Sequence, residues 1–127
     1  MGQNLTLLPG TLMICRMGPE AAVPDWAHHG ALQSITRTSD ELSIVCAEAQ
    51  VTDDVKAERG WRSFKVEGPL DLSLTGILAS LAGPLAGARI NIFAVSTFDT
   101  DYVLIKEEMV RKAAEVLIRS GHRVSGL

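Results

Sequence analysis

Hydrophobic and polar positions along the chain follow two periods, and the periods take turns. Residues 11–16 set Leu12 and Ile14 against Thr11, Met13 and Cys15, the two-residue period of a strand opened by the Pro9-Gly10 turn. Pro24 stands near the first turn of a short helix over about 23–27, which Gly30 ends. Residues 31–37 and 42–46 read as the arms of a hairpin around Thr38-Ser39-Asp40-Glu41. The polar run 51–59 predicts no more than a helical turn. Gly60 then precedes a strand over 61–67 that puts Arg62, Phe64 and Val66 on one face.

The second half is more strongly patterned. Gly68-Pro69-Leu70 is a turn, and Asp71 is the expected N-cap of the segment after it. Leu74, Ile77, Leu78, Leu81 and Leu85 recur at helical spacing, with Pro84 loosening the last turn because it removes the bond to the Ser80 carbonyl. A strand over 89–96, a polar loop over 97–101 and a strand over 102–105 follow. The final helix, 107–120, turns Val110, Ala113, Ala114 and Leu117 inward and carries the acid-first pairs Glu107–Arg111, Glu108–Lys112 and Glu115–Arg119. Gly121 suits the position after a helix end, and 122–124 close a short strand.

The order repeats. Residues 36–45 align without gaps on 96–105, polar turn on polar turn and apolar strand on apolar strand. Each half runs strand, helix, strand, turn, strand, helix. That is the ferredoxin-like βαββαβ order of an α+β protein, written as two tandem copies with a shared or continuous antiparallel sheet. The expected units are a degenerate one over 1–60 and a regular one over 61–127. Halves of this size are marginal alone, which is why the sheets should fuse.

Composition narrows the function. Of the 127 residues 46 % are apolar and only 5 % aromatic, so aliphatic side chains must build the core and disorder is excluded. Twelve basic against fifteen acidic residues leave a net charge of −3 with no basic cluster, which argues against nucleic-acid binding. Cys15 and Cys46 form no Cys-x-x-Cys and read as small buried hydrophobes of a reduced cytosol. No signal peptide is evident, and the longest apolar stretch, 76–88, is too short to span a bilayer; a cytoplasmic protein without membrane contact is expected.

Catalytic signatures are missing: there is no P-loop, nucleophile elbow or dinucleotide fingerprint. His28 and His29 are adjacent and point apart, which is awkward for a metal. Asp99-Thr100-Asp101 begins like a calcium loop but has Val110 where the twelfth position needs Glu. No catalytic residue, metal or cofactor is therefore expected. Two polar features remain. The loop from Ser96 to Asp101 sits at the end of an apolar strand, and by residue type alone it reads as an ordinary hairpin. The helix start over 68–73 offers free N–H groups that suit a carboxylate, while Asp101 suits an ammonium or guanidinium. An amino acid carries both charges.

Gly-Ile-x-Ala-x-x-Ala-Gly-Pro-Leu-Ala over 76–86 and Ser-Thr-Phe-x-x-Asp over 96–101 resemble the ACT-domain proteins of the cytosolic arginine sensor (CASTOR)-like family, in a small bacterial-type form with two ACT units. The likeness is sharp over about 61–120 and holds in layout over 5–60. It implies a regulatory, non-enzymatic module that holds a free amino acid, arginine or another small one, between ACT units. Separately, the exposed edge strands of both halves predict a two-fold homodimer. Transferred residue by residue, the ligand-binding positions are Gly68 with its neighbours Pro69, Leu70 and Asp71, and Ser96, Thr97, Phe98 and Asp101. The alternative is a structural or partner-binding module on the same fold that takes no small molecule.

Overall fold

Eight strands and two α-helices follow one another along the chain in a computed structural model that describes residues 2–71 and 75–127. In order these are β1 (Asn4–Leu7), β2 (Leu12–Met17), β3 (Ser34–Arg37), β4 (Leu42–Ala47), β5 (Lys56–Val66), α1 (Ile77–Gly87), β6 (Phe93–Ser96), β7 (Asp101–Lys106), α2 (Val110–Arg119) and β8 (Arg123–Ser125). Short 3-10 turns at Asp25–His28 and Glu107–Met109 complete the set. The fold is α+β and ferredoxin-like. Among the described residues no helix is long and apolar enough to cross a membrane.

The chain divides into two compact units, one made of the residues up to Leu8 together with Arg62–Leu127, the other of Pro9–Trp61. The sequence reading put 1–60 together; the first strand instead belongs with 62–127. The reason is packing, since Leu5 and Leu7 are buried in the same cluster as Phe64, Val66, Leu81, Leu85, Ile105 and Leu117. In that unit the strands run β6-β7-β5-β1-β8, with β1 inserted between the first and last strands of the βαββαβ order. The expected antiparallel sheet is broken at β1, which pairs parallel to β8 while it is antiparallel to β5. The helix α2 buries Val110, Ala113, Ala114 and Leu117, as its periodicity predicts. His122 is buried too: its Nδ1 accepts from the Gln3 amide at 3.0 Å and its Nε2 donates to the Ser80 carbonyl at 3.1 Å.

The unit over 9–61 has the strand order β3-β4-β2-β5, all antiparallel. Its core faces Met13 and Cys15 rather than Ile14, with Ala27, Leu42, Ile44, Cys46 and Val55 around them. The expected helical turn over 51–59 is not present. The chain is already in β5 from Lys56, and Gly60 lies inside that strand at φ +78°. The register between β2 and β5 slips there, from Leu12↔Trp61 to Ile14↔Glu58. This bulge hides the strand period from the sequence, and glycine is suited to its left-handed backbone.

The helix α1 also differs from expectation. It starts at Ile77 behind Gly76, which sits at φ +78°, and no side chain caps it, so Asp71 is not its N-cap. Leu81 and Leu85 are fully buried and Ile77 and Leu78 pack beside them; Leu74 lies outside the described residues. Pro84 stays within the helix, which continues to Gly87. The strand expected over 89–96 begins only at Phe93, because Arg89 adopts φ +62° and breaks the extended run.

Candidate functional site

Strand β7 returns from β6 through the four residues 97–100, with Ser96 and Asp101 as the closing pair. The turn holds itself: the Thr97 amide donates to the Thr100 carbonyl at 2.8 Å, and the Thr100 amide donates to Thr97 Oγ1 at 3.3 Å. Thr100 is 5 % exposed, and its hydroxyl donates to the Val66 carbonyl at 2.5 Å, anchoring the loop to the end of β5. The Asp99 carbonyl accepts from the Leu70 amide at 2.7 Å, which ties in the segment after β5. Gly68 is required where it stands: a Cβ there would lie 2.9 Å from the Asp99 carbonyl oxygen.

These ties leave an open cleft of about 220 Å³ between the loop and the start of α1. Of the residues expected to bind a ligand, Leu70, Asp71, Ser96, Thr97, Phe98 and Asp101 line it. Gly68 and Pro69 do not. Of the N–H groups over 68–73 expected to face a carboxylate, two are not available. Pro69 has no N–H, and the Leu70 amide is already committed to Asp99. Further backbone donors lie at the helix start, where Gly76, Ile77 and Leu78 line the cleft. The first N–H groups of a helix have no intrahelical acceptor and lie at its positive end. Sequence reasoning placed the helix start at Asp71 and therefore missed these three; Gly76 was the available signal.

On the opposite wall, Asp101 is half-buried and its Oδ1 accepts from Ser96 Oγ at 2.6 Å, which fixes the carboxylate and leaves its second oxygen free of that bond. Phe98 is 79 % exposed at the mouth. Among the described residues no group of three or more His, Cys, Asp or Glu is placed to hold a metal ion. The two thiols lie elsewhere, buried in the core of the 9–61 unit. Burial pushes the Cys46 thiol up to about 11, with Cys15 adding to the shift, and burial raises Cys15 against the opposing charge of Arg59. Both thiols are therefore protonated and poorly nucleophilic at neutral pH.

The model of the ACT domain matches residues 56–119, half of the chain, and a second family model, of an N-terminal domain, matches residues 10–54. The human cytosolic arginine sensor for mTORC1 subunit 1 is 42 % identical over 60 residues, which cover 46 % of this chain and 18 % of that protein. The chain thus spans under a fifth of the curated relatives it matches. Among solved structures, an Agrobacterium tumefaciens protein is 41 % identical with a TM-score of 0.90, covering 98 % of this chain and 92 % of that one. The ligand-free regulatory subunit of aspartate kinase from Thermus thermophilus shares the fold alone, at 11 % identity and a TM-score of 0.57 over 90 % of this chain and 99 % of that one.

Proposed function

The chain belongs to the ACT-domain family, and we propose that it serves as a regulatory module that binds a free amino acid and performs no chemistry of its own. The observation that carries this reading is the pairing of opposite chemistries across one cleft, the Asp101 carboxylate on one wall and the start of α1 on the other. An amino acid matches both, its cationic group toward Asp101 and its carboxylate toward the helix amides.

A second observation favours a cation beside Asp101. In the unit over 9–61 the hairpin closes at Arg37↔Leu42, and Arg37 stands where Ser96 stands in the other unit. Its guanidinium donates to the carbonyls of Pro19 and Ala21, the latter at 2.8 Å. Those carbonyls follow Gly18-Pro19 after β2, as 68–71 follow β5 with Gly68-Pro69. One unit thus fills with its own side chain the space the other leaves open. The likeness to a stretch of an arginine sensor agrees with a cationic ligand. The module works in the cytoplasm as a two-fold homodimer, for which β6 and β8, each with one strand partner among the described residues, supply edges.

The other reading is a partner-binding module without a small ligand, and the 79 % exposure of Phe98 favours it. Thermal unfolding in the presence of each of the twenty amino acids separates the two. A ligand at 100 times its dissociation constant adds about 2.7 kcal/mol of stability, a rise of several degrees for a chain of this size. At least one amino acid is expected to give that rise. No rise with any of them contradicts ligand binding.

A further inference from the structure

Gly121 and His122 close α2. The Gly121 amide donates to the Ile118 carbonyl and the His122 amide to the Leu117 carbonyl, each at 3.0 Å, with Gly121 at φ +96°. This double closure of a helix end on a left-handed glycine fixes the backbone from which the His122 side chain leaves. The side chain is 5 % exposed. Its Nδ1 accepts from the Gln3 amide at 3.0 Å, so Nδ1 carries no hydrogen. Nε2 is then the donor, and it reaches the Ser80 carbonyl in α1 at 3.1 Å.

That carbonyl needs an outside donor because of Pro84. An α-helix would supply the amide four residues on, and Pro84 has no N–H to give. A histidine from beyond α2 makes the bond that a proline inside α1 withholds. Ser80 in turn holds the start of its helix. Its amide donates to the Gly76 carbonyl at 2.9 Å and its Oγ to the Ile77 carbonyl at 2.6 Å. Gly76 and Ile77 both line the Asp101 cleft. One run of hydrogen bonds thus leads from Gln3 through His122 and Ser80 to the cleft wall.

We propose that His122 is a positioning residue for the cleft: through Ser80 it fixes the first turn of α1, whose free N–H groups face a bound carboxylate. The proposal rests on the reading of that cleft as an amino-acid site. His122 touches no ligand. It makes the donors ready before binding, so that less ordering is left for the ligand to impose.

The test reads amide exchange of Ser80 by NMR and L-arginine binding by calorimetry, both on the full chain. His122→Phe keeps a ring and removes both nitrogens. Ser80 exchange should quicken at least about tenfold, the factor that losing one buried hydrogen bond sets, and L-arginine should bind at least about threefold more weakly. Pro84→Ala added to His122→Phe returns an N–H to the Ser80 carbonyl, and both readouts should come back to within about twofold of the wild type. The melting temperature should recover only in part, since the Gln3 amide still lacks its acceptor. In the wild type, where His122 already serves that carbonyl, Pro84→Ala should change both readouts by less than about twofold. The proposal is overturned if His122→Phe exchanges and binds as the wild type does, or if Pro84→Ala fails to restore the double variant. If the wild type binds neither L-arginine nor any other amino acid, the reading of the cleft fails, and Ser80 exchange with its recovery decides this proposal alone. Should His122→Phe not fold, His122→Asn decides, because its shorter amide keeps an acceptor for Gln3 and falls short of Ser80. Faster Ser80 exchange in that variant supports the proposal, and unchanged exchange overturns it.

Discussion

The hairpins closing at Arg37↔Leu42 and at Ser96↔Asp101 turn through four residues with the same hydrogen bonds. The Thr38 amide reaches the Glu41 carbonyl at 2.9 Å, and the Thr97 amide reaches the Thr100 carbonyl at 2.8 Å. In both turns the threonine Oγ1 accepts a backbone amide from the far side. In both the aspartate carbonyl is tied down, Asp40 by Arg16 and Asp99 by the Leu70 amide. What differs is the closing pair and the fourth residue. Arg37 satisfies the neighbouring loop carbonyls from within, whereas Ser96 turns back onto Asp101 and leaves a cleft. Glu41 is part-exposed, whereas Thr100 is buried and anchored to Val66. The turn itself is generic, and a site arises where the closing residues leave the space unfilled.

The largest expected effect separates the two fourth residues. Thr100→Val keeps the volume but removes the donor to the Val66 carbonyl, and a buried acceptor left unmade costs about 1–3 kcal/mol. Glu41→Gln should fall within about 0.5 kcal/mol. Denaturant midpoints measure both, and equal values would mean that the Thr100 anchor does not support its loop. Next comes an exchange of closing residues. Ser96→Arg copies the other unit, placing a guanidinium where Asp101 and the loop after β5 can take it. Amino-acid binding should then fall at least about tenfold with the fold retained, read by calorimetry; undiminished affinity would show that the two closing positions are not equivalent.

A smaller effect distinguishes the cores. Cys15 and Cys46 belong to the 9–61 unit alone. Their thiols are raised in the folded state, so the stability this burial contributes is complete below the ordinary value of 9.0 and is lost as pH rises toward about 11. Urea unfolding at pH 8 and pH 10.5 should show the alkaline loss, and Cys46→Ala should reduce it. An equal loss in that variant would place its origin in other groups.

Much of this was legible in residues. The α2 stripe of Val110, Ala113, Ala114 and Leu117, the Gly121 terminus and both hairpins follow from period and turn chemistry. The repeat was legible but misregistered by one residue. Carrying Arg37 onto Ser96 and Leu42 onto Asp101 needs an offset of 59, whereas the sequence alignment used 60. Without identities, only hydrogen-bond register distinguishes the two. The start of β5 was hidden by the Gly60 bulge, and the start of α1 was misplaced because Asp71 resembles an N-cap while Gly76 does the work through its backbone. The partnership of β1 with the later unit had a signal, Leu5 and Leu7 around Thr6, but its partner strands lie about 60 and 119 residues away, beyond the reach of local pattern.

The most direct test of the cleft is the titration of Asp101→Asn beside Asp99→Asn with the amino acid that most raises the melting temperature. Both residues line the cleft, but Asp99 contributes its backbone carbonyl to the Leu70 tie, which the substitution keeps. Loss of a charged hydrogen bond of about 1.5–3 kcal/mol predicts a ten- to hundredfold weaker complex for Asp101→Asn. Asp99→Asn should bind as the wild type does. Equal affinities in the two variants would contradict the assignment and leave the loop an ordinary turn.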